Sequence, residues 1–391
     1  MEYLNNKQDK QLSFFFGFGL ALAFLLPHSS SGLMLINPLL CLFYQCFKQN
    51  RIWYKNSIIV LITLIISLLL NLNQELDQKS LMSFVAILLY VMCFPIVWKV
   101  KLPNYWIYII GIFIFFSQII YILHIPFFTN LLDSYYPVAE NDMNLISYTR
   151  ANVTLNTVSN FRLGGIYRNS NHCARALTTI FALFISNNFD KPIRKNLFFG
   201  LLMLIAILLT GSRTGFFVYG VMVMVYIYNF KKVHLWIRIT LGLGLAVAFV
   251  YLLLNGSDTY RATNVVAGLS NSVNPKYVTF MDYLSHENSV MRYLFGYFSP
   301  ERFSTSSSEL LSMFDADYGY LIYQYGFIGF LVFLIFFYSI FKKMNKVGKA
   351  FFVLLLWMVS STIVTSYRAF FIFMMALSYV YSEHKLIKTH N

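Results

Sequence analysis

A single arginine inside a long apolar stretch is the residue whose type and setting most suggest chemistry. Arg213 is the only charge in the 35 residues of 196–230, and it lies between Gly211 and Gly215 in the sequence LLTGSRTGFF. A guanidinium is planar, permanently charged and able to bind a phosphate through paired N–H donors. A charge at the edge of a membrane segment usually faces a cavity and has a function. Arg213 therefore predicts either a phosphate contact or a contact with lipid headgroups that pins the turn.

A second group of basic residues lies in the stretch RLGGIYRNSNHCARAL, 162–177. If this stretch is helical from about Arg168, then Arg168, His172 and Arg175 follow at i, i+4 and i+7 and share one face. Such a face would be basic and would look into the protein. His172 is also explained as a capping or interfacial histidine, and both interpretations stay open.

A carboxylate begins the stretch DADYGYLIYQYGFIGF, 315–330. Asp317, Tyr320 and Gln324 share a helical face. Asp315 and Asp317 have the DxD form of some metal sites, but a three-residue match is weak, and none of the four cysteines has a metal-ligand spacing. We predict no metal site. Asp317 is either a group that exchanges a proton with a substrate or a structural charge favoured by the helix dipole.

The elements that hold these residues are predicted to be membrane helices. The 391 residues are 58% hydrophobic and 12% charged, with a mean hydropathy of +0.60. Soluble domains carry about 25% charged residues, so an ordinary soluble fold is excluded. The apolar blocks have the length needed to cross a bilayer core of about 30 Å. We predict an all-α polytopic membrane protein in which residues 1–391 form a single membrane domain.

Twelve spans are predicted, separated in two places by large outer-face loops at 124–171 and 255–316. The spans are 12–26, 33–47, 57–71, 81–98, 104–123, 172–188, 196–210, 214–229, 236–254, 317–341, 350–365 and 367–382. With both termini in the cytoplasm, every inner connection is basic, as the positive-inside rule requires.

This topology requires the segment 196–230 to be two spans. As one helix, its 35 residues would be about 52 Å long, which is too long for one crossing. The sequence GSRTG is therefore predicted to be a tight turn at the outer face. Gly211 and Gly215 would allow backbone angles there that other residues resist.

Lysines and arginines are sorted to opposite sides in this topology. Of the 18 lysines, 16 lie on the cytoplasmic side, whereas nine of the 12 arginines lie outside or at the outer edge. Those nine are Arg150, Arg162, Arg168, Arg175, Arg213, Arg261, Arg292, Arg302 and Arg368. The positive-inside rule explains the lysines and the formal net charge of +14 without a nucleic-acid partner. The outer arginines either bind phosphate or pair with outer acids in ordinary salt bridges.

Three separated stretches, taken in order, resemble the O-antigen polymerase/ligase superfamily of bacterial envelope glycan assembly. They are RLGGIYRNSNHCA at 162–174, TGSRTG at 210–215, and DYGYLIYQYGFIG at 317–329 after the turn at 295–296. The resemblance covers nearly the whole chain as architecture and few residues as identities. It implies a multi-pass glycosyltransferase, independent of metal and cofactor, at the periplasmic face of the inner membrane. The implied donor and acceptor are undecaprenyl-pyrophosphate-linked glycans used for lipopolysaccharide or another polysaccharide.

The polymerase of this superfamily joins lipid-linked repeat units, whereas the ligase moves the glycan to the lipid A core. The ligase pattern has histidine followed by asparagine at the helix start that reads Asp317-Tyr318 here, and the second loop has only His286. This departure favours a polymerase. A lipid-linked oligosaccharide flippase would need charges deep inside several spans, and a non-catalytic scaffold would not explain the outer arginines. The superfamily also implies membrane lipids and a chain-length regulator as partners.

Under this interpretation the arginines stabilise the charge that grows on the departing pyrophosphate. The main candidates are Arg213 and Arg168, with Arg162 and Arg175 in support. Asp317 is the candidate that orients or deprotonates the acceptor hydroxyl. The alternatives to Asp317 are Glu287, Glu301 and His286. The predicted substrate-binding residues are His172, Arg175, Arg261, Arg292, Arg302, Arg368 and Tyr318, and the loop tyrosines Tyr277, Tyr283, Tyr293 and Tyr297 either stack on sugars or pack the loop.

Overall fold

A computed structural model describes the conformation of most of the apolar segments. The described residues are 7–27, 55–72, 78–93, 102–123, 125–136, 163–167, 170–189, 193–229, 243, 289–298, 317–359, 363 and 367–384. This part of the chain is all-helical and contains no β-strand, which confirms the predicted fold class at that level.

The helices follow one another in chain order with short or long connections. They are α1 (Lys7–Leu25), α2 (Lys55–Leu70), α3 (Gln78–Cys93), α4 (Asn104–Leu123), α5 (Pro126–Tyr135), α6 (Ser170–Asn188), α7 (Ile193–Leu209), α8 (Arg213–Asn229), α9 (Val290–Phe295), α10 (Asp317–Lys342), α11 (Lys346–Ala350), a 3-10 helix (Phe351–Val359) and α12 (Tyr367–His384).

The chain divides into two compact units. The first comprises Met1–Ser31, Lys99–Gly268 and Lys349–Leu354, and the second comprises Gly32–Trp98, Leu269–Gly348 and Leu355–Asn391. Each unit is described by itself below. The prediction that 1–391 form a single membrane domain stays a prediction.

The first unit is built around α6, which packs against α4, α7 and α8. Nearly every side chain of α6 is buried, including Ala174, Ala176 and Ala182. Small residues let neighbouring helices approach closely. The helix that carries the predicted basic residues His172 and Arg175 is therefore the central element of its unit.

The helix α4 exposes large apolar side chains and buries two of its polar ones. Its buried face carries Ser117 and Gln118, whereas Ile109, Phe113 and Phe116 are exposed. A soluble protein rarely presents such a surface to water, but helices surrounded by hydrocarbon have this arrangement. The same helix and α10 are each long and apolar enough, by length and composition, to cross a membrane. The structure thus supports membrane association, and the twelve-span topology stays a prediction.

The second unit is built around α10, which packs against α2 and α9, while α12 packs against α3. Helix α10 is broken at Gly326, whose φ of 70° and ψ of 179° are not helical. A φ in this range is disfavoured for residues that have a Cβ atom. Glycine therefore permits the break, at which the segment 294–298 crosses the helix.

The helix bounds agree with several of the segments predicted to be helical and differ from another, while their membrane crossing stays a prediction. The span predicted at 104–123 is α4 to the residue, and 196–230 is two helices, α7 and α8, as the length argument required. The span predicted at 350–365 is not an α-helix in its described part, which continues α11 as the 3-10 helix Phe351–Val359. The predicted spans 33–47 and 236–254 lie outside the described residues.

The first predicted loop begins with a helix that was not predicted. Helix α5 starts at Pro126, and proline is favoured at the first helical position because its fixed φ suits the helix and its missing N–H is not needed there. Its Phe127, Phe128 and Leu131 are exposed. The 124–171 segment is therefore not a plain loop at its start.

Candidate functional site

The GSRTG turn, residues 211–215, joins α7 to α8 and places Arg213 at the first position of α8. Gly211 has a φ of 60°, so this glycine supplies the backbone angle that was predicted for it. The Ser212 Oγ accepts the N–H of Gly215 at 3.2 Å, which makes Ser212 the N-cap of α8. The Thr210 Oγ1 in turn accepts the N–H of Ser212 at 3.2 Å. The turn is fixed by its own side chains.

Gly215 has a different role from the predicted one. It is a helical residue, and a Cβ atom at this position would lie 2.6 Å from the Cβ of Ala174. The missing side chain brings α8 against α6 near the beginning of both helices. One to two turns further on, the rings of Phe181 and Tyr219 are 4.4 Å apart. The two helices therefore run side by side in the same direction with adjacent N-termini.

Each of the last four backbone carbonyls of α7 has a hydrogen-bond donor. The last four carbonyls of a helix lack partners within the helix. Here the carbonyl of Ile207 accepts the N–H of Thr210 at 3.1 Å, and the carbonyl of Leu208 accepts the N–H of Gly211 at 2.9 Å. The carbonyl of Leu209 accepts the N–H of Leu163 at 2.9 Å.

The fourth carbonyl, that of Ala206, accepts a hydrogen bond from the Gln118 Nε2 of α4 at 3.1 Å. Gln118 was not among the predicted site residues. The only available signal was a Ser-Gln pair inside an otherwise apolar span.

The LGGIY turn, residues 163–167, is held against the same helix end. Gln118 Nε2 also donates to the carbonyl of Leu163 at 3.2 Å, and the N–H of Ile166 donates to the Ser117 Oγ at 3.2 Å. The hydroxyl of Tyr167 donates to the carbonyl of Phe24 in α1 at 2.8 Å. The turn that follows Arg162 in sequence is therefore fixed to three helices of its unit.

The start of α6 lies beside this turn and carries polar and basic side chains. The described part of this helix begins at Ser170, and Arg168 lies outside the described residues, so the predicted shared face of Arg168, His172 and Arg175 stays a prediction. His172 is half-buried and Arg175 is 8% exposed. The Ser170 Oγ is buried and has no hydrogen-bond partner among the described residues.

The electrostatics of the paired helix starts favour an anion. The N-terminus of a helix carries a partial positive charge, so a cation at the first position is unfavourable by about 0.3–1 kcal/mol, and an anion is favourable by a similar amount. Arg213 stands at such a position and is half-buried. A guanidinium also donates paired hydrogen bonds to anionic groups. Both features, a guanidinium and a helix N-terminus, are groups that favour anions.

In the second unit, Asp317 is the first residue of α10 and has no exposed surface. Its Oδ2 accepts a hydrogen bond from the backbone N–H of Ile363. A buried carboxylate is stable only where hydrogen bonds or opposite charges compensate for its lost hydration. Gln324, two turns further along α10, is also fully buried. Both of its amide atoms lack hydrogen-bond partners among the described residues.

The segment 294–298 crosses α10 at the break. A Cβ on Gly326 would lie 2.1 Å from the Leu294 oxygen. The N–H groups of Tyr297 and Phe298 donate to the carbonyls of Tyr323 at 2.8 Å and Gln324 at 3.0 Å. The break thus leaves carbonyls of α10 without partners inside the helix, and N–H groups of the crossing segment donate to them.

Two polar residues of α2 complete this crossing. The Ser67 Oγ donates to the carbonyl of Phe295 at 2.7 Å. The Asn71 Nδ2, just past the end of α2, donates to the carbonyls of Ser67 at 2.8 Å and Gly296 at 3.3 Å. Both side chains are buried. They donate the hydrogen bonds that water would otherwise supply to these carbonyls.

Tyr297, one of the tyrosines considered for sugar stacking, is already covered. Its ring stacks on Tyr323 with centroids 4.9 Å apart and planes 11° apart. The Arg292 Cζ lies 4.3 Å from the same ring centroid. A guanidinium does not fit between rings this close, so it covers the opposite face. Tyr297 therefore packs the crossing, and Arg292 makes a cation–π contact.

The remaining predicted site residues are placed as follows. Tyr318 and Tyr293 are half-buried in α10 and α9, and Arg368 is half-buried as the second residue of α12. The others lie outside the described residues: Arg150, Arg162, Arg168, Arg261, Arg302, Glu287, Glu301, His286, Tyr277 and Tyr283.

Comparison with known protein families gives no match for this chain, and comparison with curated proteins gives none either.

Proposed function

We propose that the protein is an O-antigen polymerase that joins undecaprenyl-pyrophosphate-linked oligosaccharide units at the periplasmic face of the bacterial inner membrane. In this proposal the chain is multi-pass, both termini are cytoplasmic, and a chain-length regulator is a possible partner. The observation that supports it most is the pair of adjacent helix starts in the first unit. Arg213 begins one of these helices, and the buried Arg175 and Ser170 belong to the other.

The proposed reaction is a glycosyl transfer between two lipid-linked glycans. The acceptor hydroxyl oxygen forms a bond to the anomeric carbon of the donor sugar. The bond from that carbon to the pyrophosphate oxygen breaks, and undecaprenyl pyrophosphate leaves with the electron pair. Guanidinium donors aimed at this growing charge lower the barrier, because they bind the transition state more tightly than the ground state. Arg213 and Arg168 are assigned to this task, with Arg162 and Arg175 in support.

Asp317 is assigned to the acceptor hydroxyl, whose proton it orients or takes. Its complete burial and its hydrogen bond to the Ile363 N–H fit a carboxylate held in one orientation. The same observations fit a purely structural carboxylate at a helix start. A substitution distinguishes these roles.

The central experiment uses a bacterial strain that makes only single-repeat glycans because it lacks its polymerase, supplied with the matching repeat unit. Restored long chains support the polymerase. Glycan attachment to the lipid A core that depends on this protein would support the ligase alternative instead. Intermediates that accumulate in the cytoplasmic leaflet in its absence would support the flippase.

The Arg213→Ala variant should lose the long-chain ladder, and Arg213→Lys should keep a shortened one, since lysine retains the charge and not the paired donors. The exposed Lys342 offers a matched loss of one positive charge in Lys342→Ala, which should keep the full ladder. Full-length ladders from Arg213→Ala at normal protein level would reject the assignment.

The Asp317→Asn variant should abolish polymerisation and leave single-unit products. An unchanged ladder removes Asp317 from the reaction. Loss of the protein itself from the membrane would instead identify Asp317 as a structural carboxylate.

A further inference from the structure

The amide of Gln118 is the point where four segments of the first unit meet. Gln118 belongs to α4 and has no exposed surface. Its Nε2 lies 3.2 Å from the Leu163 oxygen, 3.1 Å from the Ala206 oxygen and 3.6 Å from the Cys173 Sγ. These atoms belong to the LGGIY turn, the last turn of α7 and the start of α6.

The orientation of this amide follows from its partners. Both carbonyl oxygens are acceptors, so the atom that faces them must be the NH2 group and not the amide oxygen. The N–H of Leu163 is bonded to Leu209 as well. The N–H of Leu163 therefore holds the LGGIY turn to the end of α7, and its carbonyl holds the turn to Gln118 of α4.

The segments that Gln118 joins are those that lead to the candidate arginines. Arg162 precedes Leu163 in sequence, and the GSRTG turn with Arg213 begins two residues after Leu209. The short connection between Leu209 and Arg213 is itself fixed by Thr210 and Ser212. A shift of the α7 end would therefore be transmitted directly to Arg213.

We propose that Gln118 is a positioning residue of the phosphate site: by capping α7 and binding the LGGIY turn, it sets the position of Arg213 relative to the segment that follows Arg162. This inference rests on the proposed function. It adds a residue that lies on a different helix, carries no charge and acts through the backbone carbonyls of Leu163 and Ala206. A misplacement of about 1 Å in a catalytic group can cost 10²-fold in rate, so an anchor of this kind has a large effect on turnover.

The chain offers a closely matched control at the opposite end of the same hairpin. Asn196 in α7 is also a buried amide, and its Nδ2 donates to the Asn188 carbonyl at 2.9 Å and to the Tyr226 hydroxyl at 2.8 Å. Asn196→Leu thus removes a similar pair of hydrogen bonds from the same unit, far along the chain from the GSRTG turn. A general loss of packing would affect both variants alike.

The first test does not depend on activity. Hydrogen–deuterium exchange is measured on the purified full chain in lipid bilayers, for the peptide that contains 163–167. We expect Gln118→Leu to speed exchange in this peptide at least tenfold, and Asn196→Leu to leave it unchanged. If the Leu variant does not accumulate, Gln118→Asn serves instead, since its amide is one methylene too short to reach both carbonyls. Unchanged exchange in the Gln118 variant would overturn the proposal.

The second test is a double-mutant cycle with Arg213→Lys, scored as kcat/KM for a lipid-pyrophosphate-linked oligosaccharide donor. We expect Gln118→Leu to lower this value ten- to 100-fold in the wild-type background and less than threefold in the Arg213→Lys background. Equal losses in both backgrounds, or equal losses from Gln118→Leu and Asn196→Leu, would reject the positioning role. A wild-type protein that does not join these substrates would reject the proposed function, and the exchange result would still decide whether Gln118 fixes the turn.

Discussion

The contact between Gly215 and Ala174 makes the sharpest prediction about the candidate phosphate site. A Cβ at Gly215 would lie 2.6 Å from the Ala174 Cβ, whereas carbon atoms in contact are about 3.5–4 Å apart. The Gly215→Ala variant must therefore separate α6 and α8 by about 1 Å at the end where both begin. Overpacking of this kind costs about 1–3 kcal/mol.

Helix α8 contains its own control for this change. At Gly220 an added Cβ meets no atom within 4 Å. Alanine has a higher helix propensity than glycine by about 1 kcal/mol, so Gly220→Ala should be neutral or stabilising. The exchanged pair Ala174→Gly with Gly215→Ala keeps one methyl group at the contact and should recover most of the lost stability.

The measurements are the melting temperature in bilayers and the glycan ladder at matched protein level. Gly215→Ala should lower the melting temperature and shorten the ladder, because the movement displaces Arg213 from the start of α6. Gly220→Ala should change neither. If the two alanine variants behave alike, the close approach of the helix starts is wrong and the phosphate site built on it fails. If Gly215→Ala is destabilised but gives a normal ladder, the helix contact is supported and its effect on glycan polymerisation is rejected.

Three further changes test the turn and the broken helix. Ser212→Ala removes the N-cap of α8 and should lower the free energy of unfolding by about 0.5–2 kcal/mol, measured by denaturant titration, with Ser212→Asp retaining stability. Gly326→Ala puts a Cβ atom 2.1 Å from the Leu294 oxygen at a φ of 70° and should prevent accumulation of folded protein, measured by size-exclusion chromatography in detergent. Gln324→Leu should raise the melting temperature, because both amide atoms lack partners among the described residues and burial of such an amide costs about 1–3 kcal/mol; a lower value would contradict this expectation.

Some of the architecture could be predicted because it follows from length and local chemistry. The apolar run 196–230 was too long for one crossing, and the structure divides it into α7 and α8. The positive φ of Gly211 likewise follows from a tight turn whose position was already bounded by the charge pattern. Both inferences needed only neighbouring residues.

Other features could not be predicted because they depend on contacts between distant residues. Gly211 and Gly215 look equivalent in GSRTG, yet only Gly215 faces Ala174, 41 positions earlier in the chain. In YQYGFIG either glycine could have broken the helix, and only the crossing of 294–298 selects Gly326. A glycine pattern restricts the possibilities, whereas the tertiary partner decides among them.

The polar residues inside apolar helices have a common explanation in the two units. A helix that ends or breaks in apolar surroundings frees carbonyls that water cannot reach, and each unpaired group costs several kcal/mol. In the first unit, Gln118 supplies the donor for the end of α7. In the second, Ser67 and Asn71 supply donors for the segment that crosses α10. These three side chains thus mark the places where a helix of their own unit ends or is crossed. Because both interruptions lie beside candidate residues, such side chains mark the parts of the fold where substitutions should alter function before they abolish folding.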